Sequence, residues 1–151
     1  MIYLSNSTKR RLRVRALERA ANELLEAAGE GGASLSLSFV GDRAMRRLNR
    51  LHRGKDRATD VLSFPLLDSA ARAGASGHPV ERLLGDVVIS LDTAQRQAGR
   101  YDAPLERELL RLLIHGILHV LGHDHERAAE RAQMEREERR LARAIGLPWP
   151  Y

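Results

Sequence analysis

The sequence predicts a soluble domain that mixes helices with strands, and three observations lead there. Its 151 residues are 43% hydrophobic and 30% charged, the balance of a globular chain rather than a membrane-embedded or disordered one. Apolar residues recur at helical spacing in some segments and at every second position in others. One later helix is apolar around most of its circumference, so it belongs at the centre of a core. A chain of this size buries roughly two-thirds of its unfolded surface, enough for a single domain spanning residues 1–151 without staples.

The elements follow in order. Val14, Leu17, Ala21, Leu24, Leu25 and Ala28 keep helical spacing, and Gly29, Gly31 and Gly32 end that segment. Leu35, Leu37 and Phe39 alternate with Ser34, Ser36 and Ser38, which predicts a strand with one wet side. Asp42 then reads as the N-cap of a short helix carrying Met45 and Leu48. VLSFP at 61–65 and LLGDVVISL at 83–91 read as further strands, separated by a small-residue loop at 69–79. Asp102, Pro104 and Glu106 open the central helix, which runs to Leu121 and stops at Gly122.

Composition excludes several classes of function. With no cysteine there are no disulfides, thiolate metal sites or cysteine nucleophiles, so any metal is held by His, Asp or Glu. The opening MIYLSNSTKRRLRVRALER carries charges where a secretory leader needs an apolar stretch. No run approaches the roughly 18 apolar residues of a membrane span, and the expectation is a cytoplasmic protein with no membrane partner. Residues 1–60 hold 13 Lys/Arg against 7 Asp/Glu, and residues 61–151 hold 12 against 13. The basic excess therefore lies in the first part, as it does in proteins that bind anionic partners such as nucleic acid. Arginine accounts for 23 of the 25 basic residues, however, and an Ala- and Arg-rich chain is also what GC-rich coding produces.

The central helix carries the main chemical signal. Its narrow polar stripe holds Glu108, Arg111, His115 and His119, and the two histidines are neighbours on one face. Four of the six histidines fall in the run His115-Gly-Ile-Leu-His119-Val-Leu-Gly122-His123-Asp124-His125. Two imidazoles on one helix turn, with a third just past a glycine bend, can supply three ligands of a tetrahedral ion and leave the fourth position to water, the arrangement of a catalytic site. His52 and His78 have no such company and read as surface or loop residues.

The spacing matches the metzincin protease pattern H-E-x-x-H-x-x-G-x-x-H except that Gly116 stands where that pattern has its general-base Glu. Glycine costs a helix about 1 kcal/mol relative to alanine, so it needs a reason. Close packing against another element is one, and room for a bulky or anionic substrate beside the metal is the other. On helix position alone, Gly116→Glu would place a carboxylate near the metal's water, keep the metal, repel an anionic substrate by charge and leave helix stability unchanged or improved.

The run His115 to His125, with LNRLHRGKDRATDVLSFP at 48–65 and LLGDVVIS at 83–90, resembles the YbeY family of bacterial rRNA maturation factors. AAERAQMEREERRLARAIGL at 128–147 is a weaker match to that family's closing helix, so the resemblance covers most of the chain. It implies an α+β fold, a small mixed β-sheet packed with helices, with the zinc site on the central buried helix. It also implies a zinc-dependent, single-strand-specific endoribonuclease acting in 16S rRNA 3′-end maturation and ribosome quality control. Its partners would be ribosomal RNA and the ribosome or a ribosomal protein. The matching positions make His115, His119 and His125 the zinc ligands and Arg53 the functional arginine. The family often has an aromatic residue where this chain has His123, which adds a fourth candidate ligand; His125 is kept because it preserves the spacing.

The roles follow from the chemistry. A guanidinium offers a planar fork of donors to phosphoryl oxygens gaining charge, and Arg53 is the candidate. Asp124 is a candidate to orient an imidazole or the water, or else a turn cap. Asp60 and Asp86 lie near strand positions, as supports of the site or as plain turn or strand-end residues, and Thr59 is a candidate to fix the Arg53 loop. Two alternatives are a metal-dependent peptidase-like hydrolase, which the missing Glu at 116 opposes, and a non-catalytic ribosome assembly factor with structural zinc.

Overall fold

The computed structural model describes residues 1–66 and 82–149, so the predicted 69–79 loop and His78 lie outside the described residues. Among these, the order is β1 (Ile2–Asn6), α1 (Val14–Ala27), β2 (Ala33–Val40), α2 (Asp42–Arg53), β3 (Val61–Pro65), β4 (Arg82–Ser90), α3 (Leu91–Arg100), α4 (Leu105–Val120) and α5 (Ala128–Ala144). The strands form one mixed sheet in the order β1-β2-β4-β3. β1, β2 and β4 run parallel, and β3 pairs antiparallel with β4. This is the α+β architecture that the resemblance implies. No helix among the described residues is long and apolar enough to cross a membrane.

The period-two pattern sorts the sheet into two faces. Leu35, Leu37 and Phe39 of β2 and Val87 and Ile89 of β4 join the main core with Leu17, Leu24 and Leu25 of α1 and the apolar residues of α4. Each large apolar side chain buried in this way contributes about 1.5–3 kcal/mol. On the other face Val88 and Leu62 meet Met45 of α2 in a smaller cluster. The predicted wet side of β2 is therefore only partly wet. Ser36 and Ser38 are half-buried and Ser34 is buried, while the Ser38 hydroxyl accepts from that of Ser5 on β1.

Two elements exceed the sequence reading, which places nothing before α1 and nothing between Leu91 and Asp102. β1 is an edge strand in which only Ile2 is buried, too few apolar positions to show a period. α3 buries just Leu91, Ala94 and Ala98, so its apolar face is thin and two-thirds alanine. The predicted strand at 83–91 ends one residue early at Ser90, whose side chain caps α3 by accepting from the Thr93 N–H.

Asp42 is not the cap of its own helix. Gly41 holds that position, and the Asp42 N–H instead donates to Asp92 of α3 at 2.8 Å. Asp42 returns the contact, because its carboxylate accepts from the hydroxyls of Ser90 at 2.7 Å and Thr93 at 2.6 Å and faces Arg96 at 2.8 Å. Burial pushes the Asp42 pKa up, but the hydrogen bonds from Thr93, Ser90 and Arg96 outweigh it and hold the carboxyl below its ordinary value. Asp42→Ala is expected to cost about 1–2 kcal/mol, the loss of hydrogen bonds to a charged acceptor reduced by its partial exposure, read as a lower melting temperature at pH 7. A depressed carboxylate stabilises the fold above its unfolded pKa and loses that contribution as pH falls through the folded value. The gap between variant and wild type is therefore expected to close in acid.

Candidate metal centre

α4 begins where the sequence predicts, with Pro104 as N-cap and Glu106 and Glu108 in its first turn beside the positive end of the helix dipole. Leu109, Leu112, Leu113, Ile114, Ile117 and Leu118 are all buried. The polar stripe is partly buried too. Glu108 is wholly inaccessible and accepts from Gln97 at 2.9 Å and from Arg111 at 3.0 Å. One turn further on, His115 and His119 bring their Nε2 atoms to 3.0 Å from each other.

Gly122 is what returns the chain to these two rings. Its φ of +97° is one that side-chain-bearing residues rarely adopt, and it turns the backbone so that His123 N–H still bonds Leu118 O while His125 swings over the helix end. The His125 ring lies 5.9 Å from that of His115 and 5.2 Å from that of His119. One ring nitrogen from each of the three falls within 4.8 Å of the others, and His123 is not in this group. Nitrogens bound tetrahedrally to zinc at about 2.0–2.1 Å stand roughly 3.4 Å apart, so the three imidazoles fit such an ion with small ring movements. Desolvation by burial, then the neighbouring His115 and His125, lower the pKa of His119 and favour the neutral ring that metals bind. On its far side, His115 Nδ1 stands 3.9 Å from a Glu138 carboxylate oxygen of α5.

Arg53 reaches the same cleft from the other side. It is the last residue of α2, where Gly54 takes a left-handed conformation and ends the helix. Buried Asn49 holds the following loop by donating to the Arg57 carbonyl at 2.8 Å. The Arg53 guanidinium donates to the Ser63 carbonyl at 3.2 Å, and the Ser63 hydroxyl donates to the Gly116 carbonyl at 3.1 Å. Ser63 thus ties the arginine to the turn of α4 that carries His115. The cleft between them has a volume of about 700 Å³, and its walls include Arg53, Lys55, His115, His119, His123 and His125.

The remaining candidates separate. Thr59 and Asp60 line the cleft, but Asp60 spends its carboxylate on the Val61 N–H at 2.7 Å and on Gln97 at 3.3 Å, the work of a strand-end residue. Asp124 also lines the cleft and accepts from the His125 N–H at 2.7 Å, as a turn cap does. Asp86 is no part of the cleft and sits in the sheet opposite Phe64. His52 is an exposed residue of α2 whose ring packs edge-on against Phe64 at 4.9 Å.

The family model of Endoribonuclease YbeY matches residues 3–146. The chain belongs to the YbeY family of endoribonucleases. A relative from an Anaeromyxobacter species, described as Endoribonuclease YbeY, is 52% identical over 141 residues, 93% of this chain and 67% of its own. One of the same description from Pelotomaculum thermopropionicum is 47% identical over 132 residues, 87% of this chain and 85% of its own. Another from Myxococcus xanthus is 55% identical over 116 residues, and there the matched part is 77% of this chain but only 38% of the relative. A Thermotoga maritima protein known from its solution structure superposes with a TM-score of 0.63 at 27% identity, covering 97% of this chain and 90% of its own.

In this YbeY-family chain the glycine at 116 has a packing reason. A β-carbon there would lie 2.7 Å and 3.2 Å from the two methyl carbons of Val87 and 3.4 Å from the Ser63 hydroxyl. Position 116 therefore faces the sheet and not the cleft. The expectation of substrate room beside the metal is corrected, and with it the expectation that Gly116→Glu puts a carboxylate next to the metal's water at no cost in stability. Ser63 and Glu138 are the residues near the site that sequence reasoning passes over. Ser63 left one trace, a polar residue amid the apolar VLSFP strand; Glu138 left none, being one of several acidic residues in α5.

Proposed function

We propose that this YbeY-family chain is a zinc-dependent, single-strand-specific endoribonuclease acting in cytoplasmic 16S rRNA 3′-end maturation and ribosome quality control. Its partners in this reading are ribosomal RNA and the ribosome or a ribosomal protein. The observation that supports it best is the opening of three convergent imidazoles and one guanidinium into a single cleft in a chain of an endoribonuclease family. The maturation role and the strand preference come from the resemblance of the histidine run and the TDVLSFP segment. His115, His119 and His125 would hold the ion. Zinc, when bound, supplies a water acidified to a pKa of about 7.

Arg53 would grip the phosphodiester. The bond to Ser63 is the one hydrogen bond of its side chain among the described residues, so most of the fork's donors remain for phosphoryl oxygens as they gain charge. Held by Ser63, it needs little reorganisation when RNA arrives. Lysine at this position keeps the charge but loses the two-pronged contact. Arg53→Lys is expected to lower cleavage about tenfold or more while metal content and melting temperature hold. Full activity in the lysine variant would reduce Arg53 to one more basic residue.

The direct test is cleavage of a single-stranded RNA by purified protein, with chelator and then with zinc restored, alongside metal analysis. Loss with chelator and recovery with zinc is the expected result. Cleavage indifferent to chelator sinks the metal-dependent reading.

A further inference from the structure

Basic residues crowd the outer face of α2. Arg43, Arg46, Arg47, Arg50 and Arg53 recur at intervals of three and four and so stack into one stripe, about 15 Å long at 1.5 Å per residue. All five are exposed, whereas Met45 and Asn49 on the opposite face are buried. Residues 42–57 hold seven basic side chains and two acidic ones, an excess equal to the formal +5 of the whole chain. Arg46 is paired with Asp56, and the charge of Arg50 also acts on that carboxylate. The side chains of Arg43 and Arg47 have no hydrogen bond or ion pair among the described residues. At its far end the stripe runs into the histidine cleft, because Arg53 belongs to both.

We propose that this stripe is the track for the RNA strand flanking the scissile phosphate, with Arg43, Arg47 and Arg50 holding successive stretches of its sugar-phosphate backbone. The inference rests on the nuclease reading of the cleft. RNA is favoured over a protein partner by the make-up of the face. Protein interfaces centre on a charge-depleted apolar patch, and here Leu51, 74% exposed, is the one exposed large apolar side chain on the helix. A row of exposed guanidiniums without an apolar centre instead suits a sugar-phosphate backbone, whose charges Lys and Arg neutralise. A strand lying along it would enter the cleft at Arg53, where the guanidinium and the imidazoles face it together.

The test is equilibrium binding of labelled phosphorothioate RNA strands of about 20 and about 4 nucleotides, confirmed intact by gel after each titration and measured across a range of salt. The full-length protein is compared with the triple variant Arg43→Gln, Arg47→Gln, Arg50→Gln. The variant is expected to bind the long strand about tenfold more weakly at low salt. Its slope of log affinity against log salt should shrink by about 2, at roughly 0.7 for each lost phosphate contact. The short strand, which reaches only the cleft, should lose much less. Replacing the same three residues with lysine keeps the charges and is expected to keep the slope. An unchanged slope in the glutamine variant, or equal losses on both strands, overturns the proposal. Cleavage is scored separately: a protein with the expected slopes that cuts no RNA keeps the track and loses the nuclease reading, and cutting with unaltered slopes does the reverse.

Discussion

Alanine at His119 is expected to leave the purified protein without bound metal and to lower RNA cleavage at least about a thousandfold, since unactivated bulk water, a far weaker acid, replaces one acidified to a pKa of about 7. The same result is expected for His115→Ala. The two Nε2 atoms are only 3.0 Å apart on adjacent turns of one rigid, buried helix, so each ring is half of a preformed chelate. Losing either leaves one helical ligand and the exposed His125. Beyond the helix the geometry separates the other two rings: His125 converges with the pair and His123 does not. His125→Ala should therefore strip the metal while His123→Ala retains it, by metal analysis per chain. Metal held by both helical variants would remove the site, and the reverse order at 123 and 125 would transfer the third ligand to His123.

The histidine cluster was legible because its geometry is local. Helix spacing alone puts 115 and 119 on one face, and a glycine bend can return the next residues to that face, so no long-range information is needed. α1 and β2 were legible for the same reason, with apolar positions dense enough to show a period. What sequence could not supply is everything fixed by contacts far apart in the chain. Ser63 meets Gly116 across 53 residues, and Asp42 finds its partners on α3 across 48 to 51. In isolation Asp42 reads as a local cap, and only the packing of α2 beside α3 gives it another helix to hold. β1 and α3 failed for a different reason. Ile2 is the single buried residue of its strand, and α3 relies on two alanines and a leucine, so neither produces a pattern distinct from a loop. Arg53 was reached through a resemblance and not through physics, because one arginine among 23 carries no mark of its own.

Gly116→Glu is expected to destabilise the fold by about 3 kcal/mol, reversing what helix propensity alone predicts. Glutamate gains up to about 1 kcal/mol over glycine as a helix former. Against this stand the β-carbon clash at 2.7 Å with Val87 and a carboxylate directed into an apolar sheet face. Overpacking costs typically about 1–3 kcal/mol, and an unpaired polar group buried there adds about 1–3 more. Valine cannot yield cheaply, since its branched β-carbon leaves few rotamers. Gly116→Ala isolates the packing part, because it adds one carbon and no charge. In an open helix it would stabilise by about 1 kcal/mol; here the clash should cancel that gain or outweigh it. Removing both Val87 methyl carbons with Val87→Ala should restore it, so that Gly116→Ala becomes stabilising in that background. The coupling between the two positions is read from urea unfolding of the four proteins in the cycle. Metal affinity should follow stability, because the Gly116 carbonyl is tied to Ser63 and its neighbour is His115. If Gly116→Ala proves stabilising in the wild-type background, the glycine is not there for the sheet, and its place beside the metal site needs another reason.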